Sequence, residues 1–309
     1  MIYLSREVNI NASINHPAVL KFIGYSPVDY DQNPFPVIIT EYAENGSLFD
    51  LIDKERHALA SFDKWNDTAK LIIIYGIASG MKYLHEHEII HRDLKPANIL
   101  LDCYLFPKIA DFGLSKQNHE HGDSMTPEST LGIKGTPKYI PLESFTTKKQ
   151  TKSGDVYAFG LILYELLTTE IPYENMDEFK IRDELLKDHH PHFTHPIGEA
   201  YKNLIERCWS NDPEERPTFS EIIEELETNH DFIIETVEEA DFLDYVDFIK
   251  ENQGVYNENK IIDLTKYSRN PSSKIFRKIN IRRYMEEQQN QSLISSFFTR
   301  LIRGEKLYP

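Results

Sequence analysis

Two cysteines, Cys103 and Cys208, are all that this chain of 309 residues contains, and they stand far apart. Without a Cys-x-x-Cys pair there is neither a disulfide framework nor a thiolate zinc site, so both read as buried, reduced packing residues. Long apolar runs are equally scarce. Stretches such as residues 71–74 and 161–163 fall far below the ~20 residues that a membrane helix needs. The opening MIYLSREVNI already carries Arg6 and Glu7 and holds no apolar core of signal-peptide length. Positive charge is short too: 34 Lys and Arg face 50 Asp and Glu, for a formal net charge of −16. Such a field repels nucleic acid and anionic membranes and favours basic partners. The expectation is a soluble, cytoplasmic protein with no membrane span and no nucleic-acid partner. What is present is material for a sizeable core, with 40% of residues hydrophobic and 12% aromatic.

Residues 37–42, VIITEY, are β-branched and read as a buried strand, with AENGSL as the turn behind it. Residues 66–86 set Ile73, Ile77, Met81 and Leu84 at helical spacing, which predicts a long amphipathic helix. KIADFG predicts a short strand ending in a glycine turn. Residues 114–134 mix Gly, Pro, Ser, Thr and His without a period, the texture of a long functional loop. Residues 153–168 are apolar almost all round after Asp155, as a helix in the centre of a domain would be. Behind Pro217, Thr218 and Glu221 make a capping box that opens the next helix. After about residue 229 an acidic stretch gives way to a basic one. That change places a boundary between residues 1–228 and a partly helical extension, 229–309.

The stretch HEIIHRDLKPAN, residues 87–98, carries two chemistries at once. Its first five residues spell H-E-x-x-H, a zinc signature that works only with both histidines on one helix and a third ligand nearby. Here that helix would run from His87 through Ile89 and Ile90 into Arg92 and Asp93, just ahead of Pro96. No further histidine follows closely, and the next glutamate is Glu120. The other chemistry is phosphoryl transfer, which asks for alignment and charge compensation. A carboxylate must face the acceptor hydroxyl, as Asp93 can. Lys95 puts a cation beside the transferred group, and Asn98 with Asp111 supplies hard oxygen ligands for Mg²⁺.

His91-Arg92-Asp93-Leu94-Lys95-Pro96-Ala97-Asn98, followed by Asp111-Phe112-Gly113, resembles the catalytic loop and metal-binding turn of eukaryotic protein kinases. The resemblance covers roughly residues 1–228. It implies an α+β, protein-kinase-like fold: a mainly α-helical lower lobe with a truncated N-terminal β lobe that starts at helix C. It implies ATP and Mg²⁺ as cofactors, with Asp93, Lys95 and Asn98 catalytic and Asn98 and Asp111 holding the metal. Glu7, followed by His16-Pro17, looks like helix C and its exit. Thr40, Glu41 and Ala43 look like a gatekeeper and hinge whose backbone would hydrogen-bond adenine, and Leu100 matches the residue beneath the adenine ring. Asp155 matches the central-helix aspartate that braces the catalytic loop. Glu143 and Arg216 match a buried ion pair.

Lys95 and Gly135-Thr136-Pro137 are similar to the serine/threonine type, with Thr136 placed to bond Asp93 and Lys95. TEYAENGSLFDLI and the Cys208-Trp209…Arg216-Pro217 ending resemble the tyrosine-kinase-like branch. Arg92 implies control by phosphorylation of the activation loop, where Ser124, Thr126, Ser129 and Thr130 are candidate phosphosites.

Three positions depart from the family's pattern. Pro141-Leu142-Glu143 replaces Ala-Pro-Glu but keeps the glutamate. Asn11 falls where the family puts an apolar residue, and a buried amide without a partner costs about 1–3 kcal/mol. No glycine-rich loop and no lysine-bearing strand precede Glu7. The expectation is therefore a truncated reading frame, with an open sheet edge on strands 20–24 and 37–42. Two functions compete: a kinase acting on Ser and Thr hydroxyls of protein substrates, and a pseudokinase-like binding or scaffold module. His189, His190, His192 and His195, like His119 and His121, read as solvated loop residues. Lys274–Arg283 reads as an exposed helix face docking on the acidic stretch before it.

Overall fold

Among the described residues each strand is short and pairs with one other strand. The computed structural model describes residues 10–26, 37–59, 64–117 and 135–252. After a helical turn at residues 10–13, β1 (Phe22–Ser26) pairs antiparallel with β2 (Val37–Thr40). The helix α1 (Leu48–Arg56) opens on Ser47, where Ser47 and Asp50 form a capping box. The long helix α2 (Asp67–Glu86) opens on the Asn66 side chain, which accepts the Ala69 N–H. Then come β3 (Ile89–Ile90), β4 (Ile99–Leu101), β5 (Pro107–Ile109) and β6 (Lys116–Gln117). They form two further antiparallel pairs, β3 with β6 and β4 with β5.

The remaining described elements are helical. α3 (Leu142–Thr147) and α4 (Lys152–Thr168) are followed by α5 (Glu178–Leu186) and α6 (Glu199–Cys208). α7 (Phe219–Thr228) starts at the Thr218–Glu221 capping box, and α8 (Glu239–Asn252) ends the described chain. Strands gathered in small antiparallel pairs beside a helical body make the class α+β.

The core sits around α2 and α4. Phe159, Leu161, Ile162 and Leu163 of α4 are shut off from solvent, as are Leu71, Ile73 and Ile77 of α2. Each such side chain stabilises the fold by about 1.5–3 kcal/mol. α4 meets α6 at Gly160, where an added Cβ would lie 2.8 Å from Cys208 Cβ. Only glycine lets the two helices approach so closely.

Five expectations change. β2 is half-buried and stops at Thr40, and Tyr42 beyond it is 75% exposed; β-branching marks strand propensity, not burial. α2 is buried without a break from Thr68 to Met81. An amphipathic helix would show an open face, but β5, α4, α7 and α8 pack around this one. Cys208 is buried but Cys103 only partly so. Asn11 is buried yet is not without a polar partner, so the cost of an orphaned amide does not arise. The packing also runs straight through residue 229: Phe232, Phe242, Tyr245, Phe248 and Ile249 join the same core. Glu7, Ser124, Thr126, Ser129, Thr130, His119, His121 and residues 274–283 lie outside the described residues.

Candidate active site

The loop 91–98 lies between β3 and β4, and a buried carboxylate from α4 shapes its start. Asp155 accepts the His91 N–H on Oδ2 and the Arg92 N–H on Oδ1, both at 2.9 Å. Its Oδ2 also lies 2.8 Å from His85 Nε2. Burial alone would raise this carboxyl; the bonds and charges of His85, His91 and Arg92 outweigh it and hold Asp155 below the usual carboxylate range. Arg92 is thereby kept at φ 71°, a left-handed conformation that a non-glycine residue adopts only when its surroundings impose it. Gln150 Nε2 donates to the Arg92 carbonyl at 3.0 Å. Gly135, at φ 119°, runs so close that a Cβ there would stand 3.0 Å from the same oxygen.

The next residue, Asp93, gathers four donors. Its Oδ1 accepts the backbone N–H and the hydroxyl of Thr136, at 3.0 Å each. Its Oδ2 accepts Lys95 Nζ at 2.7 Å and Asn98 Nδ2 at 3.2 Å. Lys95 Nζ also donates to the Thr136 hydroxyl at 2.8 Å, and Asn98 Nδ2 to the Asp93 carbonyl at 2.8 Å. Asp93, Lys95, Asn98 and Thr136 are thus one hydrogen-bonded knot.

Asp111 stands beside it. The Ala110 N–H donates to the Asn98 carbonyl at 2.9 Å. The Asp111 carboxylate is exposed and accepts the Gly113 N–H at 3.3 Å, with φ at 65°. Phe112 turns inward, its ring 5.3 Å from that of His91.

The 40–46 segment is bonded to β4, which follows Asn98: the Asn45 N–H donates to Leu101 O at 3.0 Å and the Leu101 N–H to Gly46 O at 2.8 Å. Glu41 exchanges backbone and side-chain bonds with Lys21: its N–H donates to Lys21 O and its Oε1 accepts the Lys21 N–H, both at 2.9 Å. Ala43 O accepts the Gly46 N–H at 3.4 Å. Leu100 lies opposite Lys108 in the β4–β5 ladder and bridges to Ser47. Farther out, Arg216 grips Glu143 with two bonds, Nη1 to Oε1 at 2.7 Å and Nη2 to Oε2 at 3.0 Å. The Arg216 side chain is fully enclosed and also donates to the carbonyls of Ser210 and Ser153.

The zinc reading fails on geometry. α2 ends at Glu86, Glu88 takes φ 58°, and Ile89–Ile90 is a strand. His87 is exposed with Nδ1 at 2.8 Å from Tyr83 O, while buried His91 turns Nε2 to Ala110 O at 3.0 Å. The two rings belong to different elements. Of the histidines of DHHPHFTHP, His189, His192 and His195 are exposed as expected, and His190 alone is largely covered. His190 stacks on Trp209 at 5.3 Å, His189 pairs with Glu184, and His195 bonds Thr194 and Glu170. Among the described residues, no group of three or more His, Cys, Asp or Glu side chains is arranged to hold a metal ion.

Sequence reading missed His85, Gln150 and Lys108, and also the bond from Tyr139 to buried Glu165 at 2.6 Å. None belongs to a contiguous pattern; each meets its partner only across the fold.

The family described as protein tyrosine and serine/threonine kinase matches residues 2–226. The serine/threonine-protein kinase STY17 of Arabidopsis thaliana is 33% identical over 231 residues, covering 72% of this chain and 36% of that protein. The RGS domain-containing serine/threonine-protein kinase A of Dictyostelium discoideum is 34% identical over 223 residues, 72% of this chain and 18% of that one. The Arabidopsis thaliana serine/threonine-protein kinase CTR1 is 32% identical over 224 residues, 72% of this chain and 26% of that one. The match thus spans between 18% and 36% of these relatives' length.

Proposed function

Because this chain belongs to the protein tyrosine and serine/threonine kinase family, we propose that it transfers the γ-phosphoryl group of ATP to serine and threonine hydroxyls of protein substrates. The knot on Asp93 supports this reading above all. Four donors fix the carboxylate in place, so little reorganisation is left for the moment of reaction. Asp93 orients the acceptor hydroxyl and takes its proton. Lys95, shared between Asp93 and Thr136, offers positive charge beside the transferred group.

The donor set suits magnesium. Asn98 Nδ2 donates twice to Asp93, which leaves Oδ1 as the oxygen available to a cation, and the Asp111 carboxylate is exposed. Both are hard oxygens, and two protein ligands suffice for an ion that keeps several waters. When bound there, it would neutralise phosphate charge.

Thr40, Glu41 and Ala43 form the hinge that holds adenine, with Leu100 beneath the ring. The Glu41 N–H is spent on Lys21, so its contribution is the carbonyl. Arg92 is the residue through which phosphorylation at Ser124, Thr126, Ser129 or Thr130 would act, and Glu7 takes the role of the glutamate that the family carries at the corresponding position. Residues 1–228 make the kinase domain, with residues 229–309 as an extension that begins by packing on it. No described helix is long and apolar enough to cross a membrane.

The test is phosphate incorporation into a basic protein substrate by the full chain with saturating ATP and Mg²⁺, beside Asp93→Asn. Transfer to Ser or Thr that is lost in the variant is the expected result. No incorporation by the wild type, or equal incorporation by both, overturns the reading.

A further inference from the structure

α8 lies beyond the residues that match the kinase family, which end at 226, yet it is among the best-buried parts of the fold. Phe242, Tyr245, Val246, Phe248 and Ile249 are all buried. The helix touches two things at once. Along α2, Tyr75 meets Phe242 and Tyr245 edge-on, with centroids 5.7 and 6.2 Å apart. At the turn joining β4 to β5, Phe106 lies 4.6 Å from Tyr245 and 5.9 Å from Phe248. The three parts meet without slack: a Cβ on Gly76 would lie 2.4 Å from both Pro107 Cγ and the Tyr245 hydroxyl.

That turn is tied to the hinge by two short routes. Asp102 Oδ1 accepts the N–H groups of Tyr104 and Phe106, at 2.9 Å each, so its position follows that of Phe106. The Asp102 carbonyl accepts Asn45 Nδ2 at 2.6 Å, and the Asn45 N–H donates to Leu101 O at 3.0 Å. On the other strand, buried Lys108 donates to Pro17 O at 2.8 Å and stands 3.6 Å from Glu41 Oε1. A buried ammonium that meets a carbonyl and a carboxylate ties the two together, because pulling either away weakens the compensation of a charge held out of water.

We propose that α8 is an intramolecular brace for the hinge: Tyr245 and Phe248 hold Phe106, and the β4–β5 turn carries that restraint to residues 41–46 through Asp102–Asn45 and Lys108–Glu41. The consequence for nucleotide affinity rests on the kinase reading; the mechanical coupling does not. An event that lifts α8 off Phe106 loosens the adenine side of the site while leaving the knot on Asp93 intact.

Hydrogen exchange of the full chain tests the coupling without any nucleotide. Phe248→Ala, with Phe248→Leu as the milder form, should speed exchange of the Glu41, Asn45 and Gly46 amides about fivefold or more. Leu226→Ala in α7, a buried residue that touches neither the turn nor the hinge in this scheme, controls for general loss of stability. Exchange at residues 41–46 that stays at the wild-type rate in both Phe248 variants, or that rises equally in Leu226→Ala, overturns the brace. Titration with a fluorescent ATP analogue then separates the two readings. A weaker affinity in Phe248→Leu but not in Leu226→Ala extends the brace to the nucleotide. A wild type that binds no analogue but passes the exchange test sinks the kinase reading and leaves the brace standing.

Discussion

Thr136 gives both its backbone N–H and its hydroxyl to the same oxygen of Asp93, at 3.0 Å each. The hydroxyl also receives Lys95 Nζ at 2.8 Å. One side chain thus fixes the Asp93 carboxylate and the Lys95 ammonium relative to one another, from a segment more than forty residues away in sequence.

Thr136→Val keeps the backbone N–H and the volume but removes the hydroxyl. A hydrogen bond to a charged group contributes about 1.5–3 kcal/mol, so kcat should fall roughly ten- to hundredfold. Thr136→Ser should retain most of the activity. Steady-state kinetics with a serine peptide, alongside a melting curve that stays nearly level, checks this.

The Arg216–Glu143 pair predicts a stability effect. Arg216→Met removes two bonds to Glu143 and two to backbone carbonyls. Breaking a buried pair costs about 3–5 kcal/mol. The Glu143 side chain is still 20% exposed, so the lower end of that range is expected. Urea unfolding followed by circular dichroism measures it, and Arg216→Lys should recover only part, because an ammonium cannot make the bidentate contact.

His16 predicts an acid sensitivity. It is buried, accepts the Ala18 N–H on Nδ1 and lies 3.3 Å from Ser79 Oγ through Nε2. Burial first, then the charges of Lys108 and Lys82, push it down to about 3. Between about pH 6.5 and that value the unfolded chain carries a proton here that the folded one lacks. Stability is therefore lost as pH falls through this window, by about 1.4 kcal/mol per pH unit. Burial pushes the Asp102 carboxyl up to about 6, which acts in the opposite sense between there and its ordinary value. Comparing urea midpoints of wild type and His16→Asn from pH 4.5 to 7.5 isolates the histidine, and the wild type should lose ground to the variant as pH drops.

The polar knot was legible because its members are few, chemically distinctive and close in sequence. Asp93, Lys95 and Asn98 sit within six residues, and Asp111 follows at the end of the next strand pair. Thr136 was legible for another reason: a Gly-Thr-Pro turn is a strong local signal. Lys108 left no such trace. A lysine in a short strand reads as a solvated position, and only the fold reveals that Pro17 O and Glu41 surround it. His85 was hidden in the same way, one polar residue near the end of an apolar helix whose partner lies 70 residues away. The change of texture after residue 229 marks a shift of charge, not a break in packing: Phe242 and Tyr245 of the acidic stretch join the core, and Asp241 and Asp244 are themselves buried. Burial of α2 is hard to read because Thr68, Ser79 and Gly80 are small or polar and are covered only by distant parts of the chain: Thr68 accepts the Glu238 N–H, Ser79 meets His16, and Gly80 abuts Ile109 and Ala18.

Asp155 belongs to the first turn of α4, and its two oxygens set the backbone at His91 and Arg92. The orientation of the deepest helix is therefore imprinted on the reacting end of the molecule. A change at Phe159 or Ile162, side chains of nothing but hydrocarbon buried in the same helix, shifts the mount on which the loop carrying Asp93 rests. Trimming either side chain costs stability as well, and ranking such variants by their separation from Asp93 alone would overlook their effect on the loop.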